Sequence, residues 1–110
     1  MTCTVTIDAG ICGFRTQARV SSEDSQNVAF AVTSDCEKIQ RLAALLAEQG
    51  AIDAYGEISP ESPSRLLGTA RATLKGCCAG CAVPVGLYKA MQVTAGLALP
   101  KDISIRLQAE

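Results

Sequence analysis

The sequence predicts an α+β domain, an antiparallel β-meander of three strands plus a C-terminal strand, with helices packed on one face. Two observations carry that expectation. Over the first third of the chain apolar residues recur with period two, in three segments parted by short polar or Gly-rich stretches; the period then changes to 3.6. No internal repeat, low-complexity tract or linker divides the 110 residues, so residues 1–110 read as one domain.

Thr2–Asp8 sets Cys3, Val5 and Ile7 against Thr2, Thr4 and Thr6, the alternation of a half-buried strand. Ala9-Gly10-Ile11-Cys12-Gly13 is a loop bracketed by glycines. Phe14–Val20 resumes the alternation, with Phe14, Thr16, Ala18 and Val20 on one face. Ser21–Gln26 is a polar turn, and Asn27–Thr33 alternates through Val28, Phe30 and Val32. Ser34-Asp35-Cys36-Glu37 then has the form of a capping box, with Ser34 as N-cap and Glu37 reaching back. Ile39, Leu42, Ala43 and Leu46 form the apolar stripe of the helix it opens, which ends near Gly50.

Residues 51–62 carry no decisive period, and Ser59-Pro60-Glu61-Ser62-Pro63 reads as a turn or as the entry to a second helix within Ser64–Leu74. Lys75-Gly76-Cys77-Cys78-Ala79-Gly80-Cys81 is a small-residue loop. Val83, Leu87, Met91 and Thr94 follow helical spacing, with Pro84 tolerated in the first turn. Asp102–Gln108 alternates Ile103, Ile105 and Leu107 against Ser104 and Arg106, which predicts the C-terminal strand.

Composition narrows the chemistry. The net charge is −1 with no basic block, and aromatic residues make up 4% with no Trp, so neither the electrostatic footprint nor the stacking platforms of nucleic-acid binding are present. Seventeen alanines contribute much of the 48% hydrophobic content, so the core is built from Ala, Val, Ile and Leu. There is no His, which excludes a Ser-His-Asp triad, a Cys-His pair and any His-ligated zinc or haem site. The first residues lack the n- and h-regions of a signal peptide, and no apolar stretch is long enough for a bilayer. A cytoplasmic protein with no membrane association is expected. In that compartment six Cys point to metal or redox chemistry rather than to a disulfide framework.

Five of the six stand at joints between elements: Cys12 in the Gly-flanked loop, Cys36 in the first turn of a helix, and Cys77, Cys78 and Cys81 in the Gly-rich loop that opens another. Helix N-termini favour thiolate over thiol, the form that binds metal and attacks electrophiles. Cys3, on the buried phase of its strand, reads as a small core hydrophobe.

This order of joints resembles the iron–sulfur cluster assembly scaffold family (the IscU and NifU N-terminal type) and the small TSCPD domains. Cys12-Gly13 matches the first Cys-Gly of the scaffold family, Asp35-Cys36 its second Cys, and Lys75-Gly76-Cys77-Cys78 its Lys-x-His-Cys segment, with similar intervals, over roughly residues 1–95. The resemblance implies an IscU/NifU-like fold. Phe14 stands where the scaffold family has an Asp associated with cluster lability, Asp35 replaces its Gly and Cys77 its His; Cys81-Ala82-Val83-Pro84 replaces the Ser-Cys-Pro-Asp of TSCPD domains. More thiolates and no labilising Asp suit a tightly held metal or cluster.

The expected ligands are Cys12, Cys36, Cys78 and Cys81, with Cys77 as the alternative to Cys78. Four thiolates suit tetrahedral zinc or an iron–sulfur cluster equally. Arg15, Lys38 and Lys75 are placed to supply nearby positive charge. The first expectation is therefore a metal- or cluster-binding protein acting in storage, delivery or electron transfer, with a metal or cluster donor or acceptor as partner, rather than an enzyme. The alternative is a thiol–disulfide or persulfide sulfur-transfer protein using Cys78-Ala79-Gly80-Cys81. A third reading is a small-ligand or partner-binding domain in which Asp8, Asp35 and Glu37 line a pocket. A homo-oligomer is expected if a terminal strand leaves its edge free to pair.

Overall fold

A computed structural model describes residues 1–110. Its sheet has the strand order β1-β2-β3-β4, every neighbouring pair antiparallel: β1 is Thr2–Asp8, β2 Arg15–Ser21, β3 Asn27–Ser34 and β4 Ile52–Asp53. The helices are α1, Glu37–Gln49; α2, Ala54–Glu57; α3, Arg65–Thr73; and α4, Val83–Thr94. A 3₁₀ turn at Gly76–Gly80 lies between α3 and α4. The class is α+β, as the change of period requires. No helix is long and apolar enough to cross a membrane.

The alternation predicted for the meander is the alternation that is buried. Thr16, Ala18 and Val20 of β2, Val28 of β3 and Ile7 of β1 turn inward, and the threonines of β1 turn to solvent. α4 packs on β1 and β2, α1 on β3, and α3 fits between α1 and α4. The α1 stripe of Ile39, Leu42 and Leu46 meets Leu66 and Ala70 of α3 and Leu87 and Met91 of α4 in one core. Burial on that scale contributes about 1.5–3 kcal/mol per large side chain.

Small residues set how closely the layers approach. A Cβ added at Gly86 of α4 would lie 2.5 Å from Cδ1 and 2.7 Å from Cγ1 of Ile7 on β1, so the absence of a side chain there lets helix and strand touch. Further along α4, the buried Thr94 hydroxyl is shared between the carbonyls of Ala90 (2.8 Å) and Val20 (3.2 Å), tying the far end of the helix to β2.

Glu57, at the end of α2, is buried and fully used. Its carboxylate accepts from Ser64 Oγ at 2.8 Å and from the backbone N–H groups of Arg65 (2.6 Å) and Leu66 (2.9 Å), satisfying two of the free donors at the start of α3. Ser64 caps the same helix by accepting from Leu67 N at 3.0 Å. The β2–β3 turn has a carboxylate anchor too. Asp24 accepts from the side chain and backbone of Asn27, the backbone of Gln26 and Ser22 Oγ, and these bonds hold its carboxyl well below the usual carboxylate range.

Four sequence expectations are corrected. Ser34 does not cap α1. β3 runs on through Ser34, whose hydroxyl pairs with Thr16 Oγ1 at 2.8 Å and accepts from Cys36 N at 3.1 Å; Cys36 is the N-cap and makes no side-chain capping bond. The fourth strand is the two-residue β4, in the stretch without decisive period. Phe14 lies outside β2 and is 42% exposed. Asp102–Gln108 is not a strand: residues 97–110 have no regular structure. Ile103, Ile105 and Leu107 are exposed because no face is there to cover them, and Pro100–Ile105 runs beside β1 across a cleft of about 640 Å³.

Two outcomes follow for chemical denaturation. Gly86→Ala lowers stability by about 1–3 kcal/mol, since the overpacking outweighs the gain in helix propensity, and adding Ile7→Val recovers part of the loss. Glu57→Ala costs about 1.5–3 kcal/mol, the range for hydrogen bonds to a charged group.

Candidate functional site

The meander's register decides what its joints can do. Asp8 pairs with Arg15 and Thr16 with Ser34, so the β1–β2 loop and the β3–α1 joint leave the sheet at the same end. Gly86, in the first turns of α4, packs on Val5 and Ile7 near the end of β1, which brings the approach to α4 there as well. Cys12, Cys36 and the Cys77–Cys81 segment thus share one end of the domain. Cys3 does not: it pairs with Val20 at the far end of β1, about 16 Å away at 3.3 Å per residue, and packs half-buried against the core.

Local structure presents each thiol. The β1–β2 loop is pinched by Gly13 N–H donating to Gly10 O at 2.9 Å and Ala9 N–H donating to Phe14 O at 3.3 Å. Gly10 and Gly13 hold φ of 95° and 73°, a region that side chains rarely adopt, so this hairpin needs glycine on both sides of Ile11-Cys12. Cys12 is exposed at its tip. Cys36 sits half-buried at the N-cap of α1, its carbonyl accepting from Gln40 N at 2.9 Å. Gly76, at φ 68°, turns the chain into the 3₁₀ segment; Cys77 is exposed there and Cys78 half-buried. Cys81 N–H donates to Cys78 O at 3.1 Å, the bond that closes a 3₁₀ turn and brings side chains three apart to one side. Cys81 Sγ accepts from Val83 N at 3.5 Å.

Electrostatics ties four of these sulfurs together. The Cys81 thiol is raised above its ordinary value chiefly by burial, and further by the negative charge that Cys12, Cys36 and Cys78 would carry when ionised; the Val83 N–H opposes the shift. Those four are the ligand set expected from sequence. The direction is a correction for Cys81, where a helix start was expected to favour thiolate: removal from water and the neighbouring sulfurs outweigh the N–H groups. No group of three or more Cys, Asp or Glu side chains stands close enough to grip an ion in this conformation. All six cysteines are free thiols.

The positive charges sort themselves differently from their sequence neighbours. Lys38, in the first turn of α1, donates to Cys78 Sγ and to Lys75 O, each at 3.4 Å. Arg15 instead pairs with Asp8 at 2.9 Å, an exposed ion pair. Lys75 contributes its carbonyl rather than its ammonium. Asp35 lies with Arg15, Gln17, Thr33 and Ser34 along a shallow polar groove; Asp8 lines the cleft beside β1, and Glu37 lines neither.

The molecule is therefore a small α+β domain that gathers cysteines from three chain joints at one end of its sheet. By sequence it belongs to DUF6951, a family of unknown function, whose model matches residues 3–107. No curated protein and no solved structure matches it.

Thiol reactivity follows from this arrangement. A raised thiol stays protonated, and so unreactive, until the pH climbs above the ordinary range for Cys. In metal-free protein near pH 8, mass-mapped alkylation modifies the exposed Cys12 and Cys77 first and Cys81 last, with the Cys81 rate rising at higher pH than theirs. Equal rates at all three would contradict the burial and charge assigned to Cys81.

Proposed function

We propose that this protein binds a metal centre, zinc or an iron–sulfur cluster, through the thiolates of Cys12, Cys36, Cys78 and Cys81, and acts in its storage, delivery or electron transfer. The observation that carries the reading is that the register brings four cysteines from three separate joints to one end of the sheet, where the charge of the other three adds to the raised thiol of Cys81. Soft sulfur donors in fours suit both centres. The layout resemblance to iron–sulfur scaffold proteins supports the same reading and suggests a donor or acceptor protein as partner.

Binding draws the sulfurs together. Cys78 and Cys81 already share one turn, and Cys36 is fixed by the sheet and α1. Cys12, exposed at the tip of its glycine-bounded hairpin, is the sulfur that must approach them for all four to reach one ion. Four thiols give up their protons as the metal binds, so affinity falls as pH drops. A cation beside Cys81 favours its thiolate against the burial that raises it. The same shift makes Cys81 the poorer attacking thiol of a Cys78-x-x-Cys81 pair, since a good nucleophile needs its thiolate near neutral pH.

Protein purified without oxygen, or loaded with Zn²⁺, retains metal in the Cys3→Ser variant and loses it in Cys12→Ser and in Cys36→Ser, by elemental analysis. Full stoichiometry in both of the latter would overturn the ligand set. Bound metal also protects Cys12, Cys36, Cys78 and Cys81 from alkylation and leaves Cys77 reactive.

A further inference from the structure

Four thiolates around a divalent ion, or around an oxidised [2Fe–2S] core, leave a net charge of −2 on a centre that is partly removed from water. Such a centre needs a compensating cation or N–H donors. Among the cations near this end of the domain, Arg15 is committed to Asp8 and Lys75 turns its carbonyl to the site. Lys38 alone places its ammonium on a cysteine sulfur, 3.4 Å from Cys78 Sγ, and the same ammonium reaches Lys75 O at 3.4 Å.

That double contact is specific in its geometry. Lys38 is the second residue of α1, two after the N-cap Cys36. Its partners are the residue before the 3₁₀ turn and a thiol inside that turn. The side chain thus spans from the helix that carries one sulfur to the segment that carries two more. The contacting residues are separated by 37 and 40 positions along the chain, whereas the hydrogen bonds of Cys81, its N–H to Cys78 O and Val83 N–H to its Sγ, stay within one segment.

Resting on the metal-binding reading above, we propose that Lys38 is the positioning residue of the centre: it compensates the charge of the Cys78 thiolate, docks the 3₁₀ turn against α1, and so sets how tightly the metal is held. A hydrogen bond to a metal-bound sulfur draws electron density from it, and the cation offsets part of the −2 charge without entering the coordination sphere. No bond is broken or formed covalently by Lys38 and no electron is transferred to it; Cys78 remains the ligand. Loss of the ammonium leaves the Val83 N–H at Cys81 as the remaining donor to these sulfurs and frees the turn from the helix.

The test compares Lys38→Met, which keeps the length of the stem and removes the charge, with Lys38→Arg, which keeps the charge. Affinity for Zn²⁺ is read by competition with a chromophoric chelator. Co²⁺ loading gives an independent signature, because thiolate-to-cobalt charge transfer reports the number of sulfur ligands. Lys38→Met is expected to weaken Zn²⁺ retention about 10–100-fold with the cobalt spectrum still that of four sulfurs, and Lys38→Arg to restore most of the loss. Equal affinities for wild type and Lys38→Met would overturn the role, as would a loss that Lys38→Arg fails to restore, which would mark a packing effect alone.

A readout without metal separates this inference from the reading it rests on. In metal-free protein at one fixed pH, Lys38→Met changes the rate at which Cys78 is alkylated at least threefold and leaves Cys3 unchanged. If wild type binds no metal but that change is seen, the metal-binding reading fails while the Lys38–Cys78 contact stands. If the Cys78 rate does not move, the contact itself is wrong.

Discussion

The antiparallel register of β2 with both of its neighbours is the constraint on which the rest depends. Pairing Asp8 with Arg15 and Thr16 with Ser34 sends two joints out of the same end of the sheet. The contact of Gly86 with Ile7 then brings the approach to α4 to that end. A slip of one residue would turn Thr16, Ala18 and Val20 away from the core and separate Cys12 from Cys36 in the same step. The hydrophobic pattern that stabilises the meander therefore also positions the thiols.

Gathering sulfurs has an electrostatic cost that the fold meets only in part. Burial and three neighbouring sulfurs push the Cys81 thiol up, the opposite of what an isolated helix start does to a cysteine. One backbone N–H, that of Val83, opposes the shift at Cys81, and the Lys38 ammonium lies 3.4 Å from Cys78 Sγ. As metal-free thiols the four are neutral and tolerate one another. On the proposed reading, the four as thiolates need a cation among them.

Much of this was legible in the sequence because it is periodic. β1, the core face of β2, the stripe of α1 and the buried face of α4 announce themselves by alternation or stripe, and α3 falls within the segment Ser64–Leu74 read as helical. What failed was local pattern overruled by pairing. Ser34-x-x-Glu37 has the letters of a capping box, but the ladder to β2 claims Ser34 first. Asp102–Gln108 has the alternation of a strand without a layer to bury it. β4 and α2 are too short to carry any period, and Glu57, which holds the start of α3 from outside it, gives no signal at all. The joint cysteines were legible individually; that Lys38 rather than Arg15 or Lys75 faces a thiol depends on packing between α1 and the 3₁₀ turn, which sequence spacing does not encode.

The most direct test of the central claim is metal and acid-labile sulfide content, with an absorption spectrum, on the full chain purified without oxygen and supplied with iron and zinc during expression. The account requires a stoichiometric metal centre: either one zinc per colourless chain, or iron with sulfide and visible sulfur-to-iron absorption. Metal-free protein with all six thiols titrating, unable to take up Zn²⁺ or a cluster afterwards, would contradict it.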